Sequence, residues 1–95
     1  MIRFVEVVEA PDQRAGRYAL SEVWINGEYV VNLREGTRYK KLLKEGQLPS
    51  DLDAHHEFTT ITVNNGNMSE AHVVLGDVSF VAGRLGRSSR TLLKG

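Results

Sequence analysis

Between residues 51 and 57 the chain crowds Asp51, Asp53, His55, His56 and Glu57 into seven positions. Carboxylate and imidazole together suit zinc, manganese or iron, so this is the one stretch whose residue types are those of a metal centre. The spacing follows neither the helical HExxH pattern nor a facial triad, and adjacent residues of one loop seldom converge on an ion. A hydrated loop is the competing reading of Asp51, Asp53, His55 and His56. His72 lies further on, in a stretch with strand character, where it either faces solvent or packs beside Phe58.

The second chemistry is electrostatic. Arg34, Arg38, Lys40, Lys41 and Lys44 form one basic cluster and Arg84, Arg87, Arg90 and Lys94 another, nine of the twelve positive charges. Joined on one surface they would neutralise several phosphates; kept apart they are a solvated helix face and a solvated tail. The formal charge is zero only because the charges are segregated: residues 45–83 carry six carboxylates and no Lys or Arg, whereas 84–95 carry four basic residues and no acid. Such blocks suit either an external anion or a dipolar subunit that docks onto copies of itself.

Other chemistry finds no support. Without cysteine, disulfides, thiolate zinc sites and thiol catalysis are excluded. No serine sits in a GxSxG setting, and Asp51 and Asp53 stand in too hydrophilic a context to serve as acid and base. Gly83-Arg84-Leu85-Gly86-Arg87 lacks the GKS or GKT ending of a phosphate loop, and Gly86 reads instead as a helix C-cap. Asn67-Met68-Ser69 matches a glycosylation sequon but falls in a hairpin loop. We therefore expect no catalytic residue and no cofactor.

These residues must be carried by a single small domain, since 95 residues allow one core and 41% apolar content is ordinary for a folded protein. Arg3, Glu6 and Glu9 interrupt the first apolar run, so no signal peptide or membrane span is read and a cytoplasmic location is expected. IRFVEVV (2–8) is a β-rich run, and EAPDQRAG (9–16) is a turn leading to a second strand over 17–25. Asn26-Gly27 suits a tight turn with positive φ, and EYVVNL follows as a third strand. TRYKKLLKEG changes to helical period, with Thr37 placed to cap its start and Gly46 its end. Leu48 and Leu52 can anchor the loop after it. FTTITV, NNGN and AHVVL give the clearest hairpin signal, and Asp77 can cap a helix VSFVAGRL. The core is expected from Phe4, Leu20, Val23, Ile25, Val30, Leu33, Ile61, Val63, Val73, Leu75, Val81 and Leu85.

The stretch INGEYVV, followed by FTTITVNNG and VSFVAGRL, resembles the FlbD-type flagellar proteins. VVNL leading to YKKLLKEGQL and then to the hairpin is similar to the RemA-type regulators of biofilm matrix genes. The second resemblance implies a small β-rich subunit that assembles into rings and presents basic residues to DNA. His55, His56 and Glu57 stand where the RemA pattern carries an arginine-rich run. A small accessory protein of the kind abundant in bacteriophages is a third reading.

Together these observations predict an α+β domain with a small twisted antiparallel sheet, or partly open barrel, of about five strands and two short helices. The expected function is a non-enzymatic, homo-oligomeric binding or regulatory module, built by edge strands and a basic tail over 87–95, with no membrane or small-molecule partner. The alternative is a nucleic-acid-binding regulator that uses Arg38, Lys40, Lys41, Lys44, Arg84, Arg87, Arg90 and Lys94.

Overall fold

The structure, a computed structural model, describes residues 1–9, 18–49, 52–53 and 55–88, the side chains of 87 and 88 excepted. Strand β1 (Ile2–Glu9) pairs along its full length with β2 (Tyr18–Ile25), and β3 (Val30–Glu35), β4 (Phe58–Asn65) and β5 (Met68–Leu75) form a second antiparallel group. One sheet results, in the order β2-β1-β5-β4-β3. The two groups are joined between β1 and β5, where one registered pair, Glu6 opposite Val74, is found among the described residues. Helices α1 (Thr37–Lys44) and α2 (Val78–Ser88) complete the small α+β fold.

Strand order forces curvature. β2 and β3 are the two edges, yet only Asn26 and a 3-10 turn over Gly27–Tyr29 separate them in sequence. A flat five-stranded sheet would hold its edges about 19 Å apart. Five residue steps, partly wound into a 3-10 turn at about 2 Å each, cannot cover that distance, so the sheet coils. Asn26 accepts the Glu28 amide through its side chain at 3.0 Å, capping the turn with an extended backbone, not the positive φ expected of it. The positive φ values belong to glycine alone among the described residues. One is Gly66 (φ 74) in the two-residue turn of the β4–β5 hairpin, where Asn65 faces Met68.

Alternation along each strand sends side chains to two faces, and each face receives one helix. On one, Phe4, Ile25, Ile61 and Val74 bury against Val81 and Leu85 of α2, with Val23, Val30, Leu33 and Val63 packed around them. On the other, Val7 and Phe58 bury with Leu48, and Tyr39, Leu42 and Leu43 of α1 cover them beside Leu20, Val73, Leu75 and Leu52. The expected core residues all fall in one cluster or the other. Val7, Leu48, Phe58 and Val74 join them because both faces, not one, are covered. Leu48 and Leu52 do anchor the loop.

The helix ends follow local chemistry. α1 is capped at its start by Gly36, with no side-chain bond, so Thr37 is the first helical residue and not the cap. It closes as expected at Gly46 (φ 73): the Gly46 amide donates to the Leu43 carbonyl at 3.1 Å and Gln47 to Leu42 at 3.0 Å, the paired bonds of a Schellman end. Asp77 caps α2 as expected, its Oδ1 accepting the Phe80 amide at 2.7 Å. The helix does not stop at Gly86. It runs on to Ser88 with Gly86 buried in it, so Arg87 belongs to a helix and not to a tail. The expected turn at 10–16 and the strand start at Arg17 lie outside the described residues, as does the segment 89–95.

Two glycines make close backbone approaches around the start of β4. The Gly36 amide donates to the Phe58 carbonyl and the Gly76 amide to the Glu57 carbonyl, each at 2.8 Å. Buried Thr59 donates its hydroxyl to the Gly76 carbonyl, also at 2.8 Å. Gly76 has φ +117, and a Cβ there would fall 2.5 Å from the Phe80 ring. Gly76→Ala is therefore expected to lower unfolding free energy by about 1–3 kcal/mol in urea titration, and Ile61→Ala by about 2–5 kcal/mol for the cavity it leaves. A Gly76→Ala protein as stable as the parent would show that this backbone position is not constrained.

Candidate functional site

The loop read as a metal centre is built as a turn that uses up its own donors. Asp53 Oδ1 accepts the His55 amide at 2.8 Å, the Asp53 carbonyl accepts the His56 amide at 3.1 Å, and the Asp53 amide donates to His56 Nδ1 at 2.9 Å. Lys40 of α1 pins the end of the turn, its Nζ donating to the His56 carbonyl at 2.9 Å and pairing with Glu57 at 3.2 Å. Asp51 lies outside the described residues, and among those described no three His, Asp or Glu side chains converge on a possible ion.

Hydrogen bonding to the charged carboxylate, first of all from the His55 backbone, holds the Asp53 acid below its ordinary value of 3.8, and nearby His55, His56 and Lys40 add to this. A depressed carboxyl contributes stability above its unfolded value, and that contribution is lost as pH falls through the folded value. The turn should thus survive mild acid and open only below the ordinary aspartate range. An NMR titration of the His55 amide is expected to give a midpoint below 3.8; a midpoint at or above that value would contradict the bond.

The described members of the two basic clusters are not joined. Arg34, Arg38, Lys41 and Lys44 are exposed on the α1 side of the sheet, while Arg84 projects from α2 on the opposite side. Register explains Arg34: it faces Thr60, the residue between Thr59 and Ile61 of the α2 face, and so points the other way. On α1, Arg38, Lys41 and Lys44 recur every third residue as an exposed stripe, with the Arg38 guanidinium carbon 6.0 Å from the Tyr39 ring centroid. Lys40 is set apart by its bonds to the 53–57 turn. None of Arg34, Arg38, Lys41 or Lys44 has an ion-pair partner among the described residues.

Arg84 is used in packing. Its guanidinium carbon lies 5.0 Å from the ring centroid of buried Phe4 and 5.8 Å from that of Phe80, between two aromatic faces. The Arg87 side chain, Arg90 and Lys94 lie outside the described residues, so the second cluster contributes Arg84 alone to the described surface.

Sequence reasoning missed a polar pair on the α2 face. His72 neither faces solvent nor packs beside Phe58: its Nδ1 meets Glu6 Oε2 at 2.5 Å, and its Nε2 stands 3.5 Å from Glu70 Oε2. Both members are largely buried, with side-chain exposures of 19% and 16%. Antiparallel register makes the contact: Glu6 faces Val74, which places His72 two residues along β5 within reach of Glu6. Sixty-six residues separate the pair in sequence, and no local spacing could announce it. Beyond His72 a cavity of about 180 Å³ opens between the 3-10 turn and the β4–β5 hairpin, lined among others by Trp24, Tyr29, Asn65, Glu70 and His72. Trp24 and Tyr29 are 53% and 48% exposed.

The remaining open feature is the sheet margin. Among the described residues β2 and β3 each have one neighbouring strand, so each leaves a row of backbone donors and acceptors unpaired by the sheet. Trp24 on β2 is half exposed and Val31 on β3 is 59% exposed, beside a register shift between Val30 and Asn32. The buried Asn32 Oδ1 on that strand has no hydrogen-bond partner among the described residues. No helix among the described residues is long and apolar enough to cross a membrane. Comparison with family models, curated proteins and solved structures finds no match to this chain.

Proposed function

We propose that this chain is a non-enzymatic subunit that assembles with copies of itself through its sheet edges and acts as a binding or regulatory module. One observation carries the reading: among the described residues both terminal strands of the sheet lack a second neighbour, and both bear a large exposed apolar side chain, Trp24 on β2 and Val31 on β3. Soluble proteins ordinarily blunt such edges with lysine, proline or a covering segment. The register shift next to Val31 serves that purpose in part. Edge pairing supplies backbone hydrogen bonds and buries Trp24 and Val31 together. A head-to-tail contact between different edges closes into a ring when its rotation permits, and a contact between like edges gives a twofold dimer.

The subunit is expected to run above monomer mass in light scattering at micromolar concentration. Trp24→Lys together with Val31→Lys should return it to monomer mass with unchanged circular dichroism, since both side chains are exposed. A monomeric parent protein would overturn the proposal.

A second reading rests on the α1 stripe. Arg34, Arg38, Lys41 and Lys44 form an exposed cationic strip without ion-pair partners among the described residues, which is what phosphate neutralisation needs. It agrees with the RemA-type resemblance, in which assembly multiplies a few basic residues per subunit along DNA. Four such contacts give a slope of log affinity against log salt of about −3 to −4. Lys41→Glu with Lys44→Glu should reduce the magnitude of that slope by about 2 in electrophoretic shift assays. Binding indifferent to salt would exclude this reading and leave the assembly proposal untouched.

A further inference from the structure

The two nitrogens of His72 stand in unlike surroundings that neither edge pairing nor phosphate binding uses. Nδ1 meets Glu6 Oε2 at 2.5 Å, with both side chains largely buried. An ionised carboxylate only accepts, so this bond draws the ring proton to Nδ1 and leaves Nε2 of the neutral ring a lone pair. Facing Nε2 at 3.5 Å is Oε2 of Glu70, a second acceptor. Two acceptors set against each other call for a positive centre between them. No Lys or Arg is among the residues that line the cavity at this point. The two-residue spacing puts Glu70 and His72 on one face of β5. Asn65 shares that face from β4, two residues beyond Val63, which pairs with Glu70.

We propose that His72 Nε2 and the Glu70 carboxylate form a binding site for one zinc ion, with Asn65 as a further oxygen donor and water completing the coordination. The separation of the two atoms fits. Metal–nitrogen bonds of about 2.0–2.1 Å and metal–oxygen bonds of about 2.0–2.2 Å, at a tetrahedral angle, put two ligand atoms about 3.3–3.5 Å apart. Here they are 3.5 Å apart. Glu6 supplies the outer support, since a metal-bound imidazole ordinarily donates its other N–H to a carboxylate that orients the ring and raises its basicity. An imidazole nitrogen beside a carboxylate selects zinc over calcium or magnesium, which take oxygen alone. The cavity of about 180 Å³ between the hairpin and the 3-10 turn accommodates the water. Because Glu6 belongs to β1 and His72 to β5, an ion on Nε2 also strengthens the bond that crosses between these strands.

The chain has three histidines, so ring nitrogen-15 spectra can follow each of them during titration of the untagged protein with zinc chloride. The His72 Nε2 resonance is expected to shift and saturate at one zinc per chain, with His55 and His56 responding only at higher zinc. Magnesium chloride at the same concentrations should leave all three unchanged. Glu70→Gln should weaken the His72 response at least tenfold. Its side chain is 59% exposed, so this variant is expected to fold as the parent does, with circular dichroism as the check. Glu6→Gln should weaken the response by about 10–100-fold without abolishing it, as removal of an outer support does. Should Glu6→Gln fail to fold, Glu70→Gln alone decides the matter. Zinc that moves His55 and His56 but not His72 would overturn the site. So would an undiminished response in Glu70→Gln, or a His72 ring protonated at both nitrogens and unaltered by zinc, since a proton would then fill the gap.

Discussion

The architecture depends on a backbone clamp at the first residues of β4. There the chain before α1 and the chain before α2 come in from opposite sides, Gly36 bonding to the Phe58 carbonyl and Gly76 to the Glu57 carbonyl. A Cβ on Gly36 would lie 2.9 Å from the Phe58 Cβ, and one on Gly76 would meet the Phe80 ring. The absence of these side chains is what lets both helices start close against the strand. From that point α1 is committed to one face and α2 to the other, and Phe58 and Ile61 of the same strand become centres of two separate cores. The Thr59 hydroxyl, buried between them, satisfies the Gly76 carbonyl that would otherwise be left without a partner in an apolar setting.

That division controls the surface chemistry. Because the helices leave on opposite faces, Arg34, Arg38, Lys41 and Lys44 lie on one side of the sheet and Arg84 on the other. Arg34, Arg38, Lys41 and Lys44 are free of carboxylate partners among the described residues. Arg84 is absorbed between Phe4 and Phe80, where a cation strengthens apolar packing and gives up its role as a solvated charge. Lys40 takes a third course, tying the 53–57 turn to α1. Residues of one type thus serve as free cation, packing element and staple, according to what the sheet places beside them.

Much of the fold is legible in local patterns. TTITV, NNG and the alternation that follows specify the β4–β5 hairpin, and Asp77 before an apolar repeat specifies the start of α2. Gly46 after Leu42 and Leu43 specifies the end of α1. What local pattern does not hold is the order of strands. The tight turn expected at Asn26-Gly27 would make neighbours of β2 and β3, whereas the structure puts them at opposite edges, a long-range choice made by β1 inserting beside β5. The Glu6–His72 pair is invisible for the same reason, and so are the exposed Trp24 and Tyr29, whose residue types suggest a core. Gly86 misleads differently: its lack of a side chain reads as a helix stop, but it lies buried within α2.

The single registered pair between the two strand groups, Glu6 opposite Val74, has a consequence for how the domain holds together. Ladder hydrogen bonds tie β1 to β2 and β3 to β4 and β5, but the seam between these groups has little of that cement. Cohesion across the seam falls to side chains: α2, whose Val81 and Leu85 touch residues of both groups, and the short Glu6–His72 bond beside it. The β1–β2 ribbon is therefore a unit that can exchange its amides by parting from the rest while keeping its own ladder, an opening event governed by apolar contact and not by strand pairing.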